Sequence, residues 1–177
     1  MKQQLFLILV IPVLLVAREK QSANNLWQPF EYFVGKWAGH ETGKAGTGQG
    51  TREYSFIMNG TYLYQENTSH FEPQEKNPTG ETHEDRAFFS YDQEIKNFAL
   101  REFHSEGFIN YYTLDTTLCT PQKFVFVSQR SENAPPNLKA RLTLEIKNEN
   151  EFIETFELAF NGKDFSEFLK NYWMREI

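Results

Sequence analysis

The sequence predicts an all-β fold, with about ten short antiparallel strands closing into an up-and-down barrel behind a short N-terminal helical plug. Three observations predict it. Segments of alternating apolar and polar residues follow one another from Thr51 to the end of the chain. Turn residues separate them, including Asn59-Gly60 and Asn161-Gly162, which are strong hairpin signals. Almost no stretch has helical periodicity, and closing the sheet removes the long exposed edges that an open one would leave. A length of 177 residues suits one domain, and aromatics at 16% are enough to fill a core or line a cavity.

In chain order, residues 1–17 are expected to be a signal peptide. Lys2 gives the positive start, and Leu5 to Val16 is an apolar run of 12, too short to span a bilayer as a helix. Ala17 is the expected cleavage point and Ala23 a second candidate. The protein is therefore expected to be secreted or periplasmic, with no membrane span after cleavage. Losing Lys2 takes the net charge from −6 to −7, so there is no basic footprint for nucleic acid. Cys119 is the only cysteine, so no internal disulfide forms. Residues 18–26 read as a flexible linker and 27–177 as a single barrel domain.

Trp27 to Phe33 (WQPFEYF) is expected to be the helical plug. Gly35-Lys36-Trp37 leads into the first strand, and Gly43 to Gly50 is a flexible loop or a strongly bent strand edge. Thr51 to Met58 sets Arg52, Tyr54, Phe56 and Met58 on one side; after Asn59-Gly60, the strand to Phe71 sets Tyr62, Tyr64 and Glu66 on one side. Glu72 to Glu81 is the longest loop, and Arg86 to Tyr91 a strand. Lys123 to Arg130 is a nearly continuous apolar strand. Pro135-Pro136 interrupts the ladder. Ala140 to Lys147 turns Ala140, Leu142, Leu144 and Ile146 inward. Glu151 to Phe160 carries Phe152, Glu154, Phe156 and Leu158 on one face, and Phe165 to Glu176 closes the chain.

Between them, Asn97 to Asp115 would run roughly 60 Å as one strand, so it must turn, and Glu106-Gly107 is the natural place. One face of this hairpin is expected to carry Arg101, Phe103, Phe108, Asn110 and Tyr112. The other is expected to carry Leu100, Glu102, His104, Ile109 and Tyr111.

Gly35-Lys36-Trp37 before the first strand resembles the Gly-x-Trp start of calycin barrels, which include lipocalins, fatty-acid-binding proteins and nitrobindin-like proteins. Phe103 to Asn110 (FHSEGFIN) and Glu154 to Ala159 (ETFELA) are similar to uncharacterised bacterial proteins grouped with nitrobindin-like heme-binding β-barrel domains. The resemblance covers roughly residues 27–177. It implies a ten-stranded barrel, a hydrophobic ligand or heme, and a closure pair in which Arg175 packs across Trp37. Nitrobindins hold heme through a histidine near the end of the chain. The histidines here are His40, His70, His83 and His104, so no heme or other cofactor is expected. The Gly-x-Trp-x-Gly-x-Gly run also ends on Glu41 instead of glycine.

The leading functional expectation is an exported barrel that binds a small, mostly apolar or amphipathic molecule. Tyr64, Glu66, Arg101, Phe103, His104, Asn110, Tyr112 and Glu154 are its candidate ligand-binding residues. Arg101 would partner the buried carboxylates and grip an acidic head group. One alternative is an isomerase- or hydrolase-like enzyme using His104 with Glu102 as acid and base. The other is a filled barrel whose loops at 72–81 and 131–137 recognise a partner. No His/Cys cluster has metal-ligand spacing, so no metal is expected.

Overall fold

A computed structural model describes residues 26–44 and 46–176. The leader assigned to residues 1–17, and all but the last residue of the 18–26 linker, lie outside the described residues. The ten strands are β1 (Gly35–Gly43), β2 (Gly46–Ile57), β3 (Tyr62–Phe71), β4 (Glu81–Asp92), β5 (Asn97–His104), β6 (Ile109–Leu114), β7 (Lys123–Glu132), β8 (Leu138–Asn148), β9 (Glu151–Phe160) and β10 (Ser166–Arg175). Each pairs antiparallel with its chain neighbours, and β1 pairs with β10 to close the barrel.

Three expectations about elements change. In place of the expected helical plug there is a 3-10 segment of six residues, Gln28–Phe33, with Phe30 and Phe33 buried. The glycine-rich stretch is strand on both sides of a tight turn, with Gly43 paired to Gly46, so the bent edge is the outcome and not the loop. β4 begins at Glu81, well before the expected Arg86, because its polar first half still alternates and pairs with Asn67 to Phe71 of β3.

The barrel is packed solid at one end. Phe30 meets Phe98 at 4.7 Å and Phe124 at 4.9 Å between ring centres, and Phe33 meets Phe152 edge-on at 5.2 Å. Trp37 is fully buried and donates its Nε1 proton to the Phe33 carbonyl at 2.8 Å. The guanidinium of Arg175 lies 4.2 Å from the Trp37 ring centre and donates to the carbonyls of Tyr32 and Val34. Those contacts satisfy carbonyls at the end of the 3-10 turn that would otherwise lack donors. The opposite half of the barrel holds the cavity.

Candidate functional site

The inner faces of β1 to β4, β9 and β10 place a polar layer directly above the aromatic core. Arg52 is its centre. It forms a two-pronged ion pair with Glu154, donates Nε to Asn67 at 3.0 Å, and stacks 4.2 Å from the Trp173 ring. Both partners are buried, at 3% and 6% side-chain exposure, so each charge relies on the other. Burial alone would lower the Arg52 pKa, but Glu154, together with Tyr54 and Asp85, outweighs it and holds the guanidinium charged. Asn171 donates to Glu154 at 3.0 Å. Asn67 donates to Asp85 at 2.9 Å and to Ser69 at 3.0 Å, and Ser69 donates to Glu41. Gln65 supplies Asp85 with a second donor at 2.6 Å. Burial pushes the Glu41 carboxyl pKa up, against the Ser69 hydrogen bond.

Above this layer is a cavity of about 420 Å3. Its apolar wall includes Phe71, Leu142, Phe156, Leu158 and Phe168, and its polar wall includes Glu41, Asp85, Glu102, Glu154 and Asn171. Arg52, the one guanidinium on it among the described residues, is already taken by Glu154.

A second polar group forms the wall along β4 and the β5–β6 turn. His104 Nε2 lies 3.3 Å from Glu102 and 3.3 Å from the Asn110 amide. Tyr112 donates to Glu102 at 3.1 Å. Phe108 stacks on the His104 ring at 4.0 Å, which fixes its plane. His83 sits beside it, with ring centres 5.7 Å apart, and its two nitrogens face Asp85 at 3.5 Å and Glu106 at 2.6 Å. Burial would lower the His83 pKa, but hydrogen bonds to Asp85 and Glu106 dominate and raise it to about 9. The same contacts hold Asp85 and Glu106 below their ordinary values despite burial.

The sequence-derived candidates divide between the two faces. His104, Glu102, Asn110 and Glu154 line the cavity, with Tyr112 buried beside Glu102. Tyr64, Glu66, Arg101 and Phe103 lie on the outside, which corrects their expected face. Arg101 is exposed and donates to Ser90 at 3.0 Å, and Glu66 pairs with Arg86 at 2.8 Å on the surface. Tyr64 stacks against Phe88, and Phe103 is 41% exposed. The reason is strand register. The β5–β6 turn pairs Glu102 with Asn110, so the even-numbered residues of both strands share the inner face and Arg101 cannot join Asn110. The β2–β3 turn pairs Arg52 with Asn67, which sends Glu66 outward. Asn67, within the Asn67-Thr68-Ser69 sequon, is therefore buried.

Sequence reasoning missed Arg52, Glu41, Asn67, Asp85 and His83 as parts of one site. The signal for Arg52 was present: it already shared a face with Tyr54 and Phe56, and the Asn59-Gly60 turn fixes what lies opposite. His83 was hidden inside a polar stretch that did not read as strand.

No protein-family profile and no curated protein matches this sequence. Among solved structures, the chain is similar to Rv2717c from M. tuberculosis, with a TM-score of 0.62 at 13% identity, over 86% of this chain and 98% of that one. It also aligns with a de novo designed fluorescence-activating β-barrel, at 13% identity and a TM-score of 0.39, over 82% of this chain and 95% of the design. The first likeness is one of fold.

Proposed function

We propose that this is an exported barrel protein that binds one small, mostly apolar molecule in the open half of the barrel. The observation that carries the proposal is the cavity of about 420 Å3 with an aromatic and aliphatic wall over a polar base. That volume and lining match small-molecule pockets, and a filled barrel serving only as an interaction module would not have them. The head group follows from charge. Arg101 is outside and Arg52 is paired, while Glu41, Glu102 and Asp85 offer acceptors. A head group that donates hydrogen bonds is thus favoured over the acidic one that an inward Arg101 would have matched.

The test combines native mass spectrometry of protein purified from its own host with titration by an apolar environment-sensitive dye. A co-purified small molecule and one-to-one dye binding are expected. Leu158→Trp should fill the cavity and abolish dye binding without unfolding the protein. Undiminished dye binding by a folded Leu158→Trp variant would overturn the reading. A second reading, acid–base catalysis, is favoured by one contact, the 3.3 Å approach of His104 to Glu102 on the cavity wall. Incubating the co-purified molecule with the protein and following both its mass and its NMR spectrum separates the two, since hydrolysis changes the mass, isomerisation changes the spectrum at constant mass, and neither change leaves binding alone.

A further inference from the structure

His83, His104 and Glu106 each offer one ligand atom, and these atoms lie within 4.8 Å of one another. The three come from two places that strand pairing brings together. His104 lies opposite Asp85 in the β4–β5 ladder, so His83, two residues along β4, sits diagonally beside it on the inner face. Glu106 comes from the β5–β6 turn directly above, and Ser105 anchors that turn by donating its backbone amide to the Glu84 carbonyl at 2.8 Å.

Both imidazoles have a carboxylate behind them. Glu102 lies 3.3 Å from His104 Nε2, which the Asn110 amide also approaches at 3.3 Å, and Asp85 lies 3.5 Å from His83 Nε2. An Nε2 proton held by a carboxylate leaves Nδ1 as the lone-pair nitrogen, which is the arrangement that orients and enriches a metal-ligating histidine. On His83 that nitrogen faces Glu106 at 2.6 Å through a shared proton, which a metal ion would displace. On His104, whose side chain is only 8% exposed, Nδ1 is buried and has no hydrogen-bond partner among the described residues. A buried polar atom without a partner is costly, and a core histidine would ordinarily satisfy both nitrogens.

We propose that His83, His104 and Glu106 form a binding site for a divalent transition metal of the zinc class. Two imidazole nitrogens and one carboxylate suit zinc, cobalt, nickel or ferrous iron, and fit poorly the all-oxygen shells that calcium and magnesium take. Zinc–nitrogen bonds near 2.0–2.1 Å at tetrahedral angles put ligand atoms roughly 3.3 Å apart. The site must therefore adjust, with the His83–Glu106 pair opening from 2.6 Å and the wider separations closing, and the half-exposed Glu106 on its turn is the side chain free to move. Three protein ligands leave a coordination position open, and all three residues line the cavity, so that position faces it. The site stands on its own residues and does not depend on an organic ligand being bound.

The test uses untagged protein stripped with a chelator, then titrated with Zn2+ by calorimetry and with Co2+ by visible spectroscopy. One ion per chain is expected, with intense cobalt bands and a higher Tm on zinc addition. His83→Ala and His104→Ala should each weaken binding by about tenfold or more. His70→Ala, at the exposed pair with Glu72, should leave it unchanged. Absence of one-ion binding overturns the proposal. Binding that survives either cavity substitution, or is lost with His70→Ala instead, also overturns it. If His104→Ala does not fold, Glu106→Ala at the turn provides the same comparison in its place.

Discussion

Among single residues, Glu41 carries the most readable electrostatic signature. Its carboxyl is buried at the cavity base beside Asp85 and Glu154, with Ser69 as a donor. Burial outweighs that hydrogen bond and raises its pKa above the ordinary value of 4.5. A carboxyl with a raised folded pKa holds its proton more tightly in the fold than in the unfolded chain. The contribution of Glu41 to stability is therefore greatest below pH 4.5 and declines as pH rises from there through the folded value. Glu41→Gln removes this titration while keeping an acceptor for Ser69. It is expected to raise the thermal midpoint at pH 7, with the gain fading towards pH 4. Thermal unfolding at the two pH values checks it; the same gain at both would assign the effect to packing. Arg52 and Glu154 illustrate the opposite case, in which two buried charges are tolerable only as a pair.

At the scale of elements, the β1–β2 hairpin shows why the glycine-rich stretch stays in the ladder. Gly39 and Gly50 face each other across the pair, and the indole of Trp173 occupies the space their side chains would take. A Cβ on Gly39 would lie 2.5 Å from the Trp173 ring, nearer than carbon atoms approach. The glycines thus let a fully buried tryptophan on β10 lie against β1 and β2, where its ring also supports Arg52. Gly39→Ala is expected to destabilise the fold by about 1–3 kcal/mol through overpacking, measured by denaturant unfolding. A change well under that range would mean that Trp173 has room to shift.

For the whole molecule, closure depends on the β1–β10 seam. Arg175 pairs with Trp37 in register, covers its ring, and donates to backbone carbonyls of the 3-10 turn segment. One side chain thus connects the last strand, the first strand and the turn. Arg175→Leu is expected to cost about 1–3 kcal/mol, because half-buried carbonyls lose donors and the indole loses its cation. Arg175→Lys should recover only part of this, since an ammonium lacks the planar fork that spans two carbonyls. Equal stability of Arg175→Leu and wild type in denaturant unfolding would remove the seam from this role.

The alternation of Ala140 to Lys147 and of Glu151 to Phe160 specified two strands and their inner faces correctly, because a period of two against a buried core leaves one choice of side. Even spacing and turn residues specified a barrel, and the aromatic content specified an interior with bulk to spare. What the sequence left open was which strands' polar residues meet. Along β5 and β6 both faces mix apolar and polar groups, so periodicity does not choose between them. The parity of the turn chooses, and it is set by backbone conformation around Gly107 at φ 90°. The cavity cation moved from Arg101 to Arg52 for that reason. His83 reached His104 only through pairing of two strands whose turn residues fix the register from the far end of the ladder. Local sequence thus determined the strands and most of the core, and tertiary closure decided the composition of the cavity, since its walls come from residues that no local pattern relates.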